Sequence, residues 1–590
     1  MTSAPPSRLT RLALEYALPF LLNLVLALAL SWPLARDFTT RLAGSITNDQ
    51  VHAIWICWNV KQWLFGGAPL FATPLLYYPI GVSLLLDGVG PVSGLLALPF
   101  WGWGAVAAYN GAVLLGLTLS GFAMYLLARA LSFERGVALF AGVVLQLTPS
   151  HVAGLYGHLE KVLIALPVVV LLSLFGTFRA ERRWWWWALA TAVAWLLVGL
   201  HSGYLFAHTI VAVVFFVVIA VIGSERGRRL DATWRVVVLV AVCAVVLGPF
   251  LVGVLLVATD PAFVVKLYTA SGYYSPDLTQ LLIPPSYNAL FGWLNASLPW
   301  LAERPRAGMD IDVETAATLS WTACVLAVCA LASRDRRVWP WAAFTVLFVA
   351  LSLGPSLRLL GHERFTDFRL RIILPYAVLN RLPGFDFMRC SVRFMMVGAI
   401  GLSVLACFGL SWLQRRWPRG RNLLVVVAIA LALLEGWPKA WPQWSPAERF
   451  PPSSFYEQIA SETDVYGVLD LPAYWPPDNG DNRYMWYQLS HGKGIAWGYL
   501  SRSYRVHPIE LVRRLIVGGG TAASQVGSGG EQFATAPAEL KKLGYRYVIW
   551  HKTQADMAGT VPTAKFIDSA FGKSARPDWE DEVIRVYRIR

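Results

Sequence analysis

The sequence predicts an α-helical polytopic membrane protein with about 11 transmembrane helices and a C-terminal extracytoplasmic α/β domain. Three observations lead there. Of the 590 residues, 56% are hydrophobic and only 15% charged, outside the range of ordinary soluble domains, which excludes a soluble enzyme. Apolar runs recur from residue 14 to residue 438, and about 20 apolar residues cross a bilayer as a helix. Beyond about residue 440 the composition turns polar, through the proline-rich entry WPKAWPQWSPAERFPP. The expected division is therefore 1–439, a membrane domain whose first outer loop is 36–106, and 440–590, a separate domain.

The first apolar stretch, 14–34, is too long for a typical cleaved signal peptide and reads as an uncleaved span. Further spans are expected at 107–128, 136–149, 161–178, 184–201, 203–222, 235–257, 316–333, 338–355, 391–413 and 422–438. The run 91–106, with Trp101 and Trp103, reads as an interfacial or re-entrant piece. Arginine clusters set the orientation: Arg129 and Arg135; Arg179, Arg182 and Arg183; Arg226, Arg228, Arg229 and Arg235; Arg334, Arg336 and Arg337; Arg415, Arg416, Arg419 and Arg421. Eleven spans starting inside place all of them on the cytoplasmic side. The loops 36–106, 150–160, 258–315 and 356–390 and the whole tail then lie outside. The net charge of +14 (50 Lys+Arg against 36 Asp+Glu) is thus a membrane-orientation signal, and nucleic acid is not expected as a partner. One outer segment is itself basic, with Arg358, Arg364, Arg369, Arg371, Arg381, Arg389 and Arg393, which suits an anionic ligand.

In the tail, VYGVLDLP (465–472), YRYVIWHK (545–552) and VIRVYRIR (583–590) read as strands. The glycine-rich loop 518–532 lacks the GxxxxGK[ST] pattern of a phosphate cradle. Six cysteines form no CxxC pair, so neither a zinc knuckle nor a disulfide scaffold is indicated.

Chemistry-bearing residues concentrate in the outer segments. Asp49 opens an aromatic-rich amphipathic helix, with His52 three residues on and on the same face. A carboxylate there caps a helix, accepts the proton of an attacking hydroxyl, or holds a cation. The second loop, TPSHVAGLYGHLEK, offers His151, His158, Glu160 and Lys161. His201, Tyr204 and His208 recur at helical spacing in the next hairpin, where ionisable groups must face protein or a wet cavity. The third loop adds Lys266 and Asp277, the aromatics Tyr273, Tyr274, Tyr287 and Trp293, which suit sugar faces, and the acids Asp310, Asp312 and Glu314. Arg389 and Arg393, four apart at the start of a span, suit a phosphate.

The acid in the first outer loop, the interfacial aromatic helix, the segment PLFATPLLYYPIG and the many-span body resemble the GT-C superfamily of integral-membrane glycosyltransferases. The phrases LSLGPSLRLLG, LPGFDFMRCSVRF and YQLSHGKGIAWGYLSR add to the likeness. The resemblance implies a multi-pass protein of the cytoplasmic (inner) membrane that moves a sugar, with inversion, from a polyprenyl-phosphate donor to a glycan, lipid or protein acceptor on the outer face. It implies Asp49 as catalytic base, with His158 and Glu160 beside it in the chemistry. Substrate binding then falls to His52, His151, Lys161, His201, Tyr204, Asp277, Arg389 and Arg393. A divalent cation (Mg or Mn) would be the cofactor, but Asn48 precedes Asp49 where a paired acid is sought, so no metal ligands are assigned. Two rival functions are a transporter or flippase of lipid-linked sugars, for which no inverted repeat is evident, and a non-catalytic membrane assembly protein using the tail.

Overall fold

The computed structural model describes residues 8–44, 48–264, 274–302, 313–364, 370–474, 482–504, 507–517, 533–552 and 557–590. Lys266, Tyr273, Asp310, Asp312, Arg369 and the loop 518–532 lie outside the described residues. Every stretch expected to span carries a helix. Six helical segments are long and apolar enough to cross a membrane: Ala13–Leu30, Ala105–Ala130, Leu159–Arg179, Gly203–Ile222, Arg226–Ala258 and Ser391–Arg416. Helices Arg135–Gln146 and Pro149–Tyr156, bent by 56° at their junction, form a seventh if counted as one. The bend has a local cause, since Pro149 lacks the N–H that would continue the first helix and opens the second at N1. Trp184–Gly199, Trp321–Ala332 and Val338–Ser352 are apolar but shorter. The run 91–106 forms the helix Pro91–Ala97 and a 3-10 turn Leu98–Trp103, too short to cross a bilayer. The chain is a polytopic helical membrane protein with a strand-containing C-terminal region.

Contacts divide the chain into two units, one of residues 1–38, 110–252 and 266–443, the other of residues 39–109, 253–265 and 444–590. The first is all helical in its core. Helix Phe394–Arg416 is its axis, buried without interruption from Phe394 to Leu410. Close approach makes this packing: a Cβ at Gly409 would stand 1.8 Å from the Leu326 carbonyl oxygen, so only glycine admits helix Trp321–Ala332 there. By contrast, segment Arg226–Ala258 has only 11% of its apolar window buried, as suits a face turned to lipid. At the other end of the unit, Glu15 accepts hydrogen bonds from Arg129 and Arg135, each at 2.6 Å, tying the first helix to the two that follow.

The second unit contains a five-stranded mixed sheet. Its strands are β1 (Gly467–Leu471), β2 (Gly494–Ile495), β3 (Tyr545–His551), β4 (Trp579–Glu580) and β5 (Ile584–Arg588), in the order β4-β5-β3-β1-β2. The three runs expected as strands are its three long members. β1 pairs in parallel with both β3 and β2, while β3 and β5 are antiparallel. β1 is buried at every position, as a central parallel strand covered on both faces must be. Helix Asn48–Gly66 belongs to the same unit, and Trp55 Nε1 donates to Gln488 Oε1 at 2.7 Å on helix Arg483–His491.

Candidate functional site

In the sheet-containing unit, Asp49 stands in the first turn of helix Asn48–Gly66, where unpaired N–H groups and the helix dipole favour a negative charge. The helix start is anchored by Gln50, which donates to the Ala43 carbonyl at 2.5 Å and accepts from Trp444 Nε1 at 2.8 Å. Asp49 is half-buried, and its Oδ1 accepts a hydrogen bond from the Tyr499 hydroxyl at 2.9 Å. One turn on, His52 Nε2 lies 2.6 Å from Asp87 Oδ2, with both side chains about 2% exposed. The other oxygen of Asp87 accepts from the backbone N–H of Gly88 (2.7 Å) and Ser501 (3.1 Å). The His52 and Tyr499 rings meet edge to face, 5.7 Å apart at 76°. Asp49, His52, Asp87 and Tyr499 thus form one assembly. Asp87 and Tyr499 were not singled out in the sequence. Tyr499 stands within YQLSHGKGIAWGYLSR, noted only as a phrase, and Asp87 follows an apolar run (VSLLLDG), a placement that reads equally as a turn.

The helical unit gathers a second set. Gly157, in the left-handed conformation at φ 118°, ends one 3-10 turn so that His158, Glu160 and Lys161 enter the interior on the next. Arg393, at the start of the central helix, places Nη1 3.2 Å from Glu160 Oε1 and Nη2 3.0 Å from Glu314 Oε1. Lys161 Nζ donates to the same Glu314 oxygen at 3.0 Å. His158 bridges the two acids, its Nδ1 3.4 Å from Glu160 and its Nε2 3.1 Å from Glu314. Two carboxylates balance two cations, leaving His158 as the group that sets the net charge. Such compensation is what allows ionised groups to be buried at all. Burial acts to raise the Glu314 carboxyl, but the charges of Arg393 and Lys161 outweigh it and hold it well below the usual carboxylate range. The Arg393 guanidinium also lies over the Tyr204 ring at 4.6 Å, and His201 lies beside the Glu160 backbone.

Of the other expected residues, Arg389 precedes the helix and does not share its face with Arg393. Its backbone N–H donates to the Tyr204 hydroxyl at 3.3 Å and its guanidinium lies over Tyr274 at 5.3 Å. His208 packs on Phe394, ring centroids 4.0 Å apart. His151 is buried, with Nε2 2.8 Å from the Val162 carbonyl. Asp277 is buried and caps the turn Leu278–Leu281, with Gln280 completing a capping box, while its Oδ2 accepts from the Gly361 N–H at 2.8 Å. Glu314 stood only in an acidic run in the sequence, with no partner to mark it. Among the described residues no three carboxylate, imidazole or thiol groups converge as a metal site, so the donor set does not fit a divalent cation and no step is routed through one.

No protein-family model and no curated protein matches the chain. Among solved structures, arabinofuranosyltransferase AftD from Mycobacteria aligns over 100% of this chain and 40% of its own length, at 14% identity and a TM-score of 0.54. The Archaeoglobus fulgidus oligosaccharyltransferase aligns over 96% of this chain and 72% of its own, at 14% identity and a TM-score of 0.48. ArnT from Cupriavidus metallidurans, solved with undecaprenyl phosphate, aligns over 99% of both chains, at 13% identity and 0.44. The likeness to AftD shows the fold, a GT-C-type membrane fold as anticipated from the first-loop segment; the two lower scores add nothing to it.

Proposed function

We propose that the protein is a glycosyltransferase that moves a sugar from a polyprenyl-phosphate donor to an acceptor hydroxyl on the extracytoplasmic face of the inner membrane. The observation that carries the reading is Asp49, a half-buried carboxylate in the first turn of a first-loop helix, hydrogen-bonded by Tyr499 within a chain of GT-C-type fold. In this reading Asp49 takes the proton of the acceptor hydroxyl. The acceptor oxygen attacks the anomeric carbon from the face opposite the phosphate, the bond from that carbon to the phosphate oxygen breaks, and polyprenyl phosphate leaves with the electron pair. The anomeric configuration inverts. A base at this position contributes roughly 10²–10⁴-fold.

In the helical unit, we assign Arg389 and the Arg393 network to recognition of the donor phosphate. Arginine offers paired, charge-assisted donors to such a group, and the Glu160 and Glu314 carboxylates hold Arg393 in one orientation. The sheet-containing unit would face outward and receive the acceptor. The test is Asp49→Asn, which keeps the side-chain shape but cannot take a proton. Sugar transfer from polyprenyl-phosphate monosaccharides to membrane acceptors should be lost while the protein still folds and inserts. Transfer at the wild-type rate in the folded variant would remove Asp49 from the mechanism.

A further inference from the structure

We infer that Tyr499 is the positioning residue for Asp49, and that the His52–Asp87 pair braces Tyr499 in that role. The inference rests on the reading of Asp49 as the base and assigns two residues to the same site.

The geometry is that of a donor aimed at a carboxylate. A tyrosine hydroxyl keeps its proton near neutral pH, so at 2.9 Å from Asp49 Oδ1 it donates. A donor to the ionised form stabilises that form and holds the carboxyl available as a base. Tyr499 itself is fixed from several directions. Its backbone N–H meets Met485 Sδ at 3.2 Å, and two residues on, the Ser501 N–H donates to Asp87 Oδ1 at 3.1 Å. Asp87 Oδ2 in turn holds His52 at 2.6 Å, and the His52 ring stands against the Tyr499 ring at 5.7 Å. Because His52 lies one turn from Asp49 on the same helix, the brace and the base share one rigid support. Asp87 therefore reaches Asp49 only through its neighbours, the backbone of 499–501 and the His52 ring. The pair is nearly excluded from solvent, at about 2% side-chain exposure, whereas Asp49 and Tyr499 are half-buried. That contrast separates a supporting pair from an accessible one.

The test reads the Asp49 carboxyl directly. A water-soluble carbodiimide with an amine nucleophile modifies protonated carboxyls, and modification at Asp49 is followed across pH by peptide mass spectrometry on the full-length protein in detergent. Removing the hydroxyl in Tyr499→Phe should raise the midpoint at Asp49 by about one pH unit, the loss of one hydrogen bond to a charged acceptor. Asp87→Asn should move it the same way by less. The double variant should move it no further than Tyr499→Phe alone, because both act along one path. An unmoved midpoint in Tyr499→Phe overturns the inference, as do shifts that simply add in the double variant. Should Tyr499→Phe fail to fold, Asp87→Asn decides alone, and an unmoved midpoint there overturns the brace. The outcome is separable from that of the base assignment. Transfer surviving in Asp49→Asn would remove the base while leaving the midpoints as they are, whereas transfer lost in Asp49→Asn beside an unmoved Tyr499→Phe midpoint would remove the positioning role only.

Discussion

Arg393 illustrates how one side chain divides between holding the protein together and meeting a ligand. Its guanidinium answers Glu160 and Glu314 at once, with Lys161 the only other lysine or arginine paired to either acid among the described residues. Arg393→Ala would leave two buried carboxylates facing one lysine, and removal of one member of a buried ion pair costs about 3–5 kcal/mol. We expect a lower thermal midpoint for purified Arg393→Ala, with Arg393→Lys intermediate, since lysine keeps the charge but not the fork that reaches both acids. A melting temperature unchanged in Arg393→Ala would mean that the network does not couple these segments. Asp49 differs in kind. It is half-buried and opens a helix, so Asp49→Asn should leave stability nearly intact while transfer falls by roughly 10²–10⁴-fold. The spacing that suggested Asp49 and His52 was visible in the sequence because both lie on one helical turn. Their partners were not, since Tyr499 is 450 positions from Asp49 and nothing local marks a residue that will be met from so far away.

The same contrast holds for whole helices and turns. Hydropathy located each helix because a span needs only a run of apolar residues, a property of composition. What hydropathy could not separate was length from continuity: Pro149 breaks one expected span into two helices 56° apart, and the residues that straddle it remain apolar throughout. Asp277 is the clearest case of a residue whose chemistry reads two ways. As an acid in an outer aromatic loop it suggested sugar binding, and its carboxylate in fact accepts from Thr279, Leu360 and Gly361 N–H groups. Asp277→Ala would remove a helix cap and leave those donors without their acceptor, a loss of about 1–3 kcal/mol. Thermal unfolding in detergent should show it. Asp277→Asn, which retains one acceptor oxygen, should recover part of the loss. If both variants melt as wild type, while binding of polyprenyl-phosphate sugar weakens, the residue belongs with the substrate after all.

The proposed orientation is open to a direct measurement. A cysteine placed at Ser461, exposed in the sheet-containing unit, should react with a membrane-impermeant thiol reagent in intact cells, whereas one at Gly227, exposed in the connection of arginines before Arg226–Ala258, should react only after the membrane is opened. The reverse pattern would invert the topology and with it the outer-face reaction. The membrane character, the positions of the helices and the three long strands of the sheet follow from the sequence by itself, because burial against lipid or core is governed by composition and short-range period. Which acids meet which bases does not follow from it. Glu314 lies 153 positions from Lys161 and 79 from Arg393, and Asp87 lies 414 from Ser501. Charges are buried only in compensated groups, and compensation depends on segments that chain order leaves far apart and folding alone brings within hydrogen-bond distance.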